Sequence, residues 1–258
     1  MTWRPRDCHA HSTWSDGELA PAELVEVVVA RGARPSIADH VSRDVRRAIR
    51  SADTVRRYLS ELSTLDVARG AEFCWHDALW RELPDELMAG FTHRLGSLHG
   101  VFLPDGTLVH AFQPRLPDGL TPALYMDALV ENLVRLAAEM PVDILAHPTL
   151  VPVAWRALPP EELWTEANEE RAVEALHAAG IAFELSTRFR PHERLVRRAV
   201  ERGVRLSLGS DGHTREHVGD VVPPLELARR LDVLDEALYD PLVHGSRTLD
   251  AVGAVRRR

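Results

Sequence analysis

The sequence contains no lysine: all 31 residues counted as lysine or arginine are arginines. That absence removes a Schiff-base amine, the lysine of a phosphate-binding loop and a carbamylated lysine bridging two metals from the available chemistry. Cysteine is nearly as scarce. Cys8 and Cys74 are the only two, so a disulfide framework is not expected and a cytoplasmic location is the default. No apolar run approaches the roughly 20 residues of a membrane-spanning helix. The first strand reads as beginning near Arg6, which leaves no room for a signal peptide. Positive charge is also in deficit: 39 acidic residues against 31 basic give a net charge of −8. That balance argues against a nonspecific nucleic-acid surface, while leaving room for a small anionic substrate held by local arginines. Repeats, low-complexity tracts and long linkers are missing too. Residues 1–258 therefore read as one domain, with 240–258 a partly frayed, solvated tail ending in Arg256–Arg258.

What is present is an alternation of short apolar strands and amphipathic helices. Strands are expected at Asp7–His11, Arg34–His40, Leu65–Phe73, Arg94–His99, Val142–His147, Ile181–Ser186 and Val204–Ser210. Helices are expected at Pro21–Arg31, Ala52–Ser63, Pro122–Glu139, Asn168–Ala179 and Pro191–Arg202. Proline suits a first helical turn, and Gly32, Gly180 and Gly203 sit where a helix would stop before the next strand. Seven strands alternating with helices predict an α/β fold with a parallel, barrel-like sheet, and 258 residues is a usual length for one such domain. The segment Gly100–Thr121, rich in glycine and proline and without a clear period, reads as an excursion over the site.

Metal-type ligands stand at the ends of these strands: His9 and His11, Asp16, His40, Glu72, His99, His147, and Asp211 with His213. Side chains two apart on a strand share a face, so His9/His11 and Asp211/His213 each aim a pair of ligands in one direction. Small residues behind several of them (Ser36 and Ala38, Ala68 and Gly70, Ser207 and Gly209) imply a narrow interior. Carboxyl ends of barrel strands converge on one face, where such enzymes carry their active sites. Six histidines and three carboxylates are too many for one ion and suit two or three. A lone histidine at a strand end is more often structural, but nine ligand types in this arrangement are hard to reach by chance. His93, His110, His177, His192, His217 and His244 read as core or surface, and His76 as pocket wall or solvent-facing.

In order, these motifs resemble those of the PHP (polymerase and histidinol phosphatase) phosphoesterases. The match runs from His9-x-His11 and Ser15-Asp16-Gly17, through Gly96-Ser97-x-His99, to Gly209-Ser210-Asp211-x-His213. The resemblance implies a distorted seven-stranded (β/α)7 TIM-like barrel with a trinuclear site. One ion would take His9, His11, Glu72 and Asp211. A second would share Glu72 with His99 and His147, and a third would take Asp16, His40 and His213. The implied activity is hydrolysis of a small phosphomonoester by a hydroxide bridging two ions about 3.5–4 Å apart, with Glu72, Asp211 and His213 at the reacting centre. Imidazole and carboxylate ligands without thiolate suit zinc, iron or manganese. Histidinol phosphate is the first substrate this implies, and nucleotides or other small phosphates follow. A metal-dependent amidohydrolase-type enzyme and a non-catalytic metal-binding module are the alternatives from other classes.

Phosphate also needs cations that are not metals. Arg188 and Arg190 follow the sixth expected strand directly, at the ligand-bearing end, and a guanidinium fork there suits a phosphate. Arg215, just after His213, is a third candidate. Family members tend to carry asparagine where this chain has Ser186, and a longer segment before the next helix.

Overall fold

The computed structural model describes residues 3–249. Among them the chain runs through α1 (Pro21–Ala30), β1 (Ser36–Ile37), β2 (His40–Val41), α2 (Ala52–Leu62), β3 (Ala68–Arg69), β4 (Glu72–Cys74), α3 (Leu79–Glu82) and α4 (Asp85–Gly90). It continues with β5 (Leu95–Ser97), β6 (Gly100–Phe102), β7 (Leu108–His110), α5 (Pro122–Glu139), β8 (Ile144–Leu145), α6 (Pro160–Leu163) and α7 (Glu166–Ala179). The last elements are β9 (Ala182–Ser186), α8 (Glu193–Arg202), β10 (Leu206–Gly209), α9 (Val222–Arg230) and α10 (Pro241–His244). The five expected helices are all present. α1 and α5 open with proline in the first turn, and Ser51, Thr121 and Thr165 cap α2, α5 and α7 by accepting hydrogen bonds from the backbone amides three residues on. No helix of the described residues is long and apolar enough to cross a membrane.

The sheet is parallel, with six strands in the order β10-β9-β8-β5-β4-β2. The expected closed seven-stranded barrel is not formed by regular ladders. Residues 7–11 are not a regular strand, yet they bond on both sides. Cys8 and His11 donate to the carbonyls of Leu208 and Gly212, while Asp7 donates to Arg34 and Ala38 donates to Ala10. This extended segment spans the seam between the β10 edge and the β1/β2 edge through isolated bridges.

Two expected strands are each broken in half, and a buried tyrosine is the reason. The Tyr58 hydroxyl is wedged among the backbone groups of Ile37, Asp39 and Gly70, donating to Gly70 O at 3.0 Å and receiving Asp39 N at 3.3 Å. It replaces the bond from Asp39 N to Gly70 O that an unbroken ladder would have made. β1 therefore pairs with β3 and β2 with β4 as separate short ladders.

Aliphatic and aromatic side chains between sheet and helices form the main core. A smaller cluster of Cys8, Ala38, Leu95, Ile144, Ala146, Ala182 and Tyr239 lies apart from it. Three of its residues, Cys8, Ala38 and Ala146, stand one or two positions before His9, His40 and His147. The expected excursion at 100–121 opens with the antiparallel hairpin β6–β7. The stretch after Asp240, expected to be solvated, is docked as far as 249. Asp240 pairs with Arg6 and Arg34 at 3.0 and 2.7 Å, and the Arg247 amide donates to Asp143. Residues 250–258, including Arg256–Arg258, lie outside the described residues.

Candidate metal centre

Strand register sets the first contact of the site. His40 and Glu72 are partners in the β2–β4 ladder. Their side chains rise from neighbouring strands on the same level, which brings His40 Nδ1 to 2.7 Å from Glu72 Oε2. The two Glu72 oxygens then divide the cluster. Oε1 lies 2.9 Å from His147 Nε2 and 3.3 Å from His99 Nε2, while Oε2 also lies 3.4 Å from His9 Nε2 and 3.7 Å from His11 Nε2. Asp211 Oδ1 is 3.4 Å from His11 Nε2 and 3.8 Å from His9 Nε2. Asp16 Oδ1 is 3.3 Å from His213 Nε2 and 3.5 Å from His40 Nε2. All nine expected residues thus meet in one place.

Their ligand atoms fall into three facing groups: His9/His11/Asp211, His40/Glu72/His99, and His11/Asp16/His40/His213. The grouping resembles the expected threefold division, except that His11 and His40 each face two groups, Glu72 falls only in the second, and His147 falls in none of the three. The two Glu72 oxygens nevertheless face different imidazoles, Oε1 toward His99 and His147 and Oε2 toward His9 and His11.

His147 Nε2 bonds Glu72 Oε1 at 2.9 Å, but other acceptor atoms here confront one another without a donor. His9 Nδ1 donates to Glu184 Oε1 at 2.8 Å, so its Nε2 lone pair points inward, 3.0 Å from His11 Nε2. Glu72 Oε2 and Asp16 Oδ1 are buried without a hydrogen-bond partner. An arrangement of facing lone pairs is costly unless a cation lies among them, so the residues fit transition-metal ions. Burial opposes the charge on Glu72, but the His40, His99 and His9 imidazoles outweigh it and hold the carboxyl well below its usual range. Asp211 is held low the same way, against burial, by His11, His9 and His147. Burial, with His40 and His213 alongside, pushes His11 down to about 3, which keeps that ring neutral as a ligand requires.

Three buried carboxylates that the sequence reading did not single out hold this floor in place. Asp7 accepts Ser210 N and Oγ and Gly219 N, pinning the loop that carries Asp211 and His213. Asp39 accepts the amide and hydroxyl groups of Ser12 and Ser15, pinning the turn that presents Asp16. Glu184, fully buried on β9, orients His9 with one oxygen and accepts His147 N at 2.5 Å with the other. Gly209 is required beside it, because a Cβ there would fall 2.0 Å from Glu184 Oε1. His147 and Asp211 occupy positive φ (30° and 49°), two of the three non-glycine residues described that do so. The bonds to Glu184 and His9 O hold both in that strained conformation. The available signal was adjacency: Asp7 and Asp39 each lie within two residues of a ligand.

A cavity of about 630 Å³ opens above the cluster. Arg188 lines it, with Nη1 3.2 Å from His213 Nδ1 and 3.8 Å from Asp211 Oδ2. Arg190 does not. Its Nε donates to Thr187 O, and it borders other hollows. Arg215 is turned away to pair with Glu23. Phe112 and Phe189 flank the mouth, and Arg156, which sequence reasoning missed, packs over both rings at 4.9 and 5.4 Å.

No family model matches the chain. It is 24% identical over 236 residues to the DNA polymerase/3'-5' exonuclease PolX of Bacillus subtilis (strain 168), covering 87% of this chain and 37% of that protein. The chain therefore spans little more than a third of that relative. Among solved structures it is similar to the histidinol phosphate phosphatase of Lactococcus lactis subsp. lactis Il1403, complexed with zinc, L-histidinol and phosphate. The TM-score is 0.68 at 16% identity, covering 93% of this chain and 95% of that one. It is also similar to a histidinol phosphatase of Listeria monocytogenes described as putative, with TM-score 0.65 at 14% identity, over 83% and 97% of the two chains. The chain thus has the fold of these histidinol phosphatases and resembles, in its ordered motifs, the PHP phosphoesterases.

Proposed function

We propose that this chain is a metal-dependent phosphomonoesterase acting on a small phosphate ester, with histidinol phosphate the first substrate to test. The observation that carries this reading is the buried Glu72 carboxylate, placed between two sets of imidazoles beneath an open cavity with Arg188 at its edge. Two to three ions of zinc, iron or manganese type would be held by the nine residues, in the division given above. When bound, such ions supply Lewis acidity toward phosphoryl oxygens and activate water for attack. The extended segment 6–11 is, in this reading, the seventh stave of a distorted barrel.

The chain's own groups do the rest. Glu184 keeps His9 in one tautomer and Asp39 holds Asp16 toward the substrate side. The Arg188 side chain is half exposed, free to turn its fork from Asp211 onto two phosphate oxygens. Phe112 and Phe189 exclude water from one side of the leaving group. Ser186 Oγ accepts a hydrogen bond from Phe189 N, which fixes the start of the arginine-bearing loop.

The test is phosphate release by protein purified without chelator, its ions counted by elemental analysis. Expected are two to three ions per chain and turnover of phosphomonoesters, histidinol phosphate faster than a generic chromogenic ester. Equal rates on the two would remove histidinol phosphate and leave the phosphomonoesterase reading. Release only from a phosphodiester, or no release with the ions in place, would overturn that reading too.

A further inference from the structure

Beyond the nine ligands, a second set of metal-type side chains stands on the cavity wall. His76 Nε2 lies 3.1 Å and His110 Nδ1 3.5 Å from the same Asp44 oxygen, Oδ2. The three ligand atoms face one another as a group separate from the nine residues of the centre. Ligands about 2.0–2.1 Å from a tetrahedral ion stand roughly 3.3 Å apart, and these two separations bracket that value.

The trio comes from three segments, and each is fixed. Asp44 is held by its backbone: its amide donates to Ser42 Oγ at 3.1 Å and to Asp77 Oδ2 at 3.3 Å. His76 follows β4, the strand that carries Glu72, and only 3% of its side chain is exposed. Its Nδ1 is buried without a partner, so Nε2, aimed at Asp44, is the ring's only polar outlet. Burial lowers its pKa and keeps the ring neutral. His110 stands opposite Gly100 in the β6–β7 ladder. Gly100 must lack a side chain, since a Cβ would sit 2.8 Å from His76 Nδ1. That close approach brings the His76 and His110 rings together edge to face, 5.0 Å apart. As a bare ion pair the trio would contribute little, because Asp44 is half exposed. A buried imidazole set against a carboxylate and a second imidazole is instead the donor set of an open zinc-type site.

We propose that Asp44, His76 and His110 form a further binding site for one divalent transition-metal ion of the zinc class. Asp44 and His110 both line the cavity, so its open coordination position faces the space the substrate would fill. The site does not depend on the reaction proposed above. Its affinity is lower than that of the central cluster, since two of its three ligands are partly exposed.

The test is a titration of the full chain with zinc, followed by calorimetry and elemental analysis, for wild type, Asp44→Asn and His110→Gln. Wild type should show a weaker final step of one ion after the central sites fill. In either variant that step should weaken by at least about tenfold, since losing even an outer partner of a ligand costs that much. Thermal midpoints taken alongside separate loss of a ligand from loss of fold. Anomalous diffraction from zinc-soaked crystals should place an ion among the three side chains. Identical final steps in wild type and both variants, or no anomalous peak at the trio under saturating zinc, would overturn the site.

Discussion

Glu72 beneath the cavity and Arg188 on its wall belong to the same candidate site, yet the first side chain is fully buried and the second is half exposed. The floor is fastened twice over. Its candidate ligands stand in or just beyond extended segments of the sheet, and Asp7, Asp39 and Glu184 hold the turns and rings that a strand alone would leave free. The wall has less support: Arg188 projects from the loop after β9 and meets His213, Asp211 and the ring of Phe189. The difference teaches where precision is needed. Ions demand fixed separations, and rigid elements supply them. A phosphate arriving from solvent is better met by a cation that can turn toward it.

Breaking the floor should therefore have the largest effect. Glu72→Gln keeps the shape and removes the charge that two groups of imidazoles share. Activity should fall by about a thousandfold or more, since the ions supply several kcal/mol of transition-state stabilisation and each 1.36 kcal/mol is a decade. Elemental analysis of the same variant should show fewer ions than wild type. Full ion content with near-normal turnover would remove Glu72 from the centre of the site.

Glu184→Gln should come next. Both carboxylate oxygens accept, one from His9 Nδ1 and one from His147 N. An amide can satisfy only one of them, so the His9 ring or the His147 backbone must shift. Losses of about 10–100-fold in metal affinity or activity are expected, as for other groups that orient a ligand. Restoration by excess zinc would show that affinity is what was lost. Wild-type ion content with a large loss of turnover would instead mean that Glu184 acts on the reaction itself.

The same contrast separates what the sequence disclosed from what it hid. The nine candidate ligands were legible because each closes an expected strand or opens the loop after it, and strand ends converge by geometry alone. The five long helices were legible from their period and their caps. The break in β1/β2 and β3/β4 was not, because it depends on the hydroxyl of Tyr58 arriving from α2, a contact no local pattern encodes. The short α3, α4, α6 and α10 have too few turns to show a period. Asp44 and His110 came from separate segments, so only the folded chain brings them together with His76. Arg188 and Arg190 illustrate the limit most directly. They are two residues apart in sequence and indistinguishable there, yet the turn at Thr187 sends one into the cavity and the other out of it.

That divergence gives a sharper prediction. Arg188→Ala should lower kcat/KM by about 10–100-fold, the equivalent of a charge-assisted hydrogen bond of about 1.5–3 kcal/mol, and leave the ion count unchanged. A grip mainly on the bound substrate would appear in KM, and one that tightens as charge develops would appear in kcat. Arg190→Ala should stay within about twofold of wild type, since its guanidinium faces other hollows. Equal losses in the two variants would mean the loop rearranges when substrate binds.

The smallest effect belongs to Arg215, although it stands only two residues beyond His213. Its guanidinium is engaged by Glu23 on α1 and its amide by Glu18, on the outer side of the loop. Both partners of the Arg215–Glu23 pair are exposed, which limits what the pair contributes to stability to about 1 kcal/mol or less. Arg215→Ala should leave kcat/KM within about twofold of wild type and the ion count intact. Any change should show only as a small drop in thermal midpoint that fades with added salt, because an exposed ion pair is screened. Steady-state kinetics and a melting curve at low and high salt decide it. A loss in kcat/KM exceeding that of Arg188→Ala would transfer the phosphate-binding role to the loop after His213, and the wall would then have to be drawn on the opposite side of the cavity.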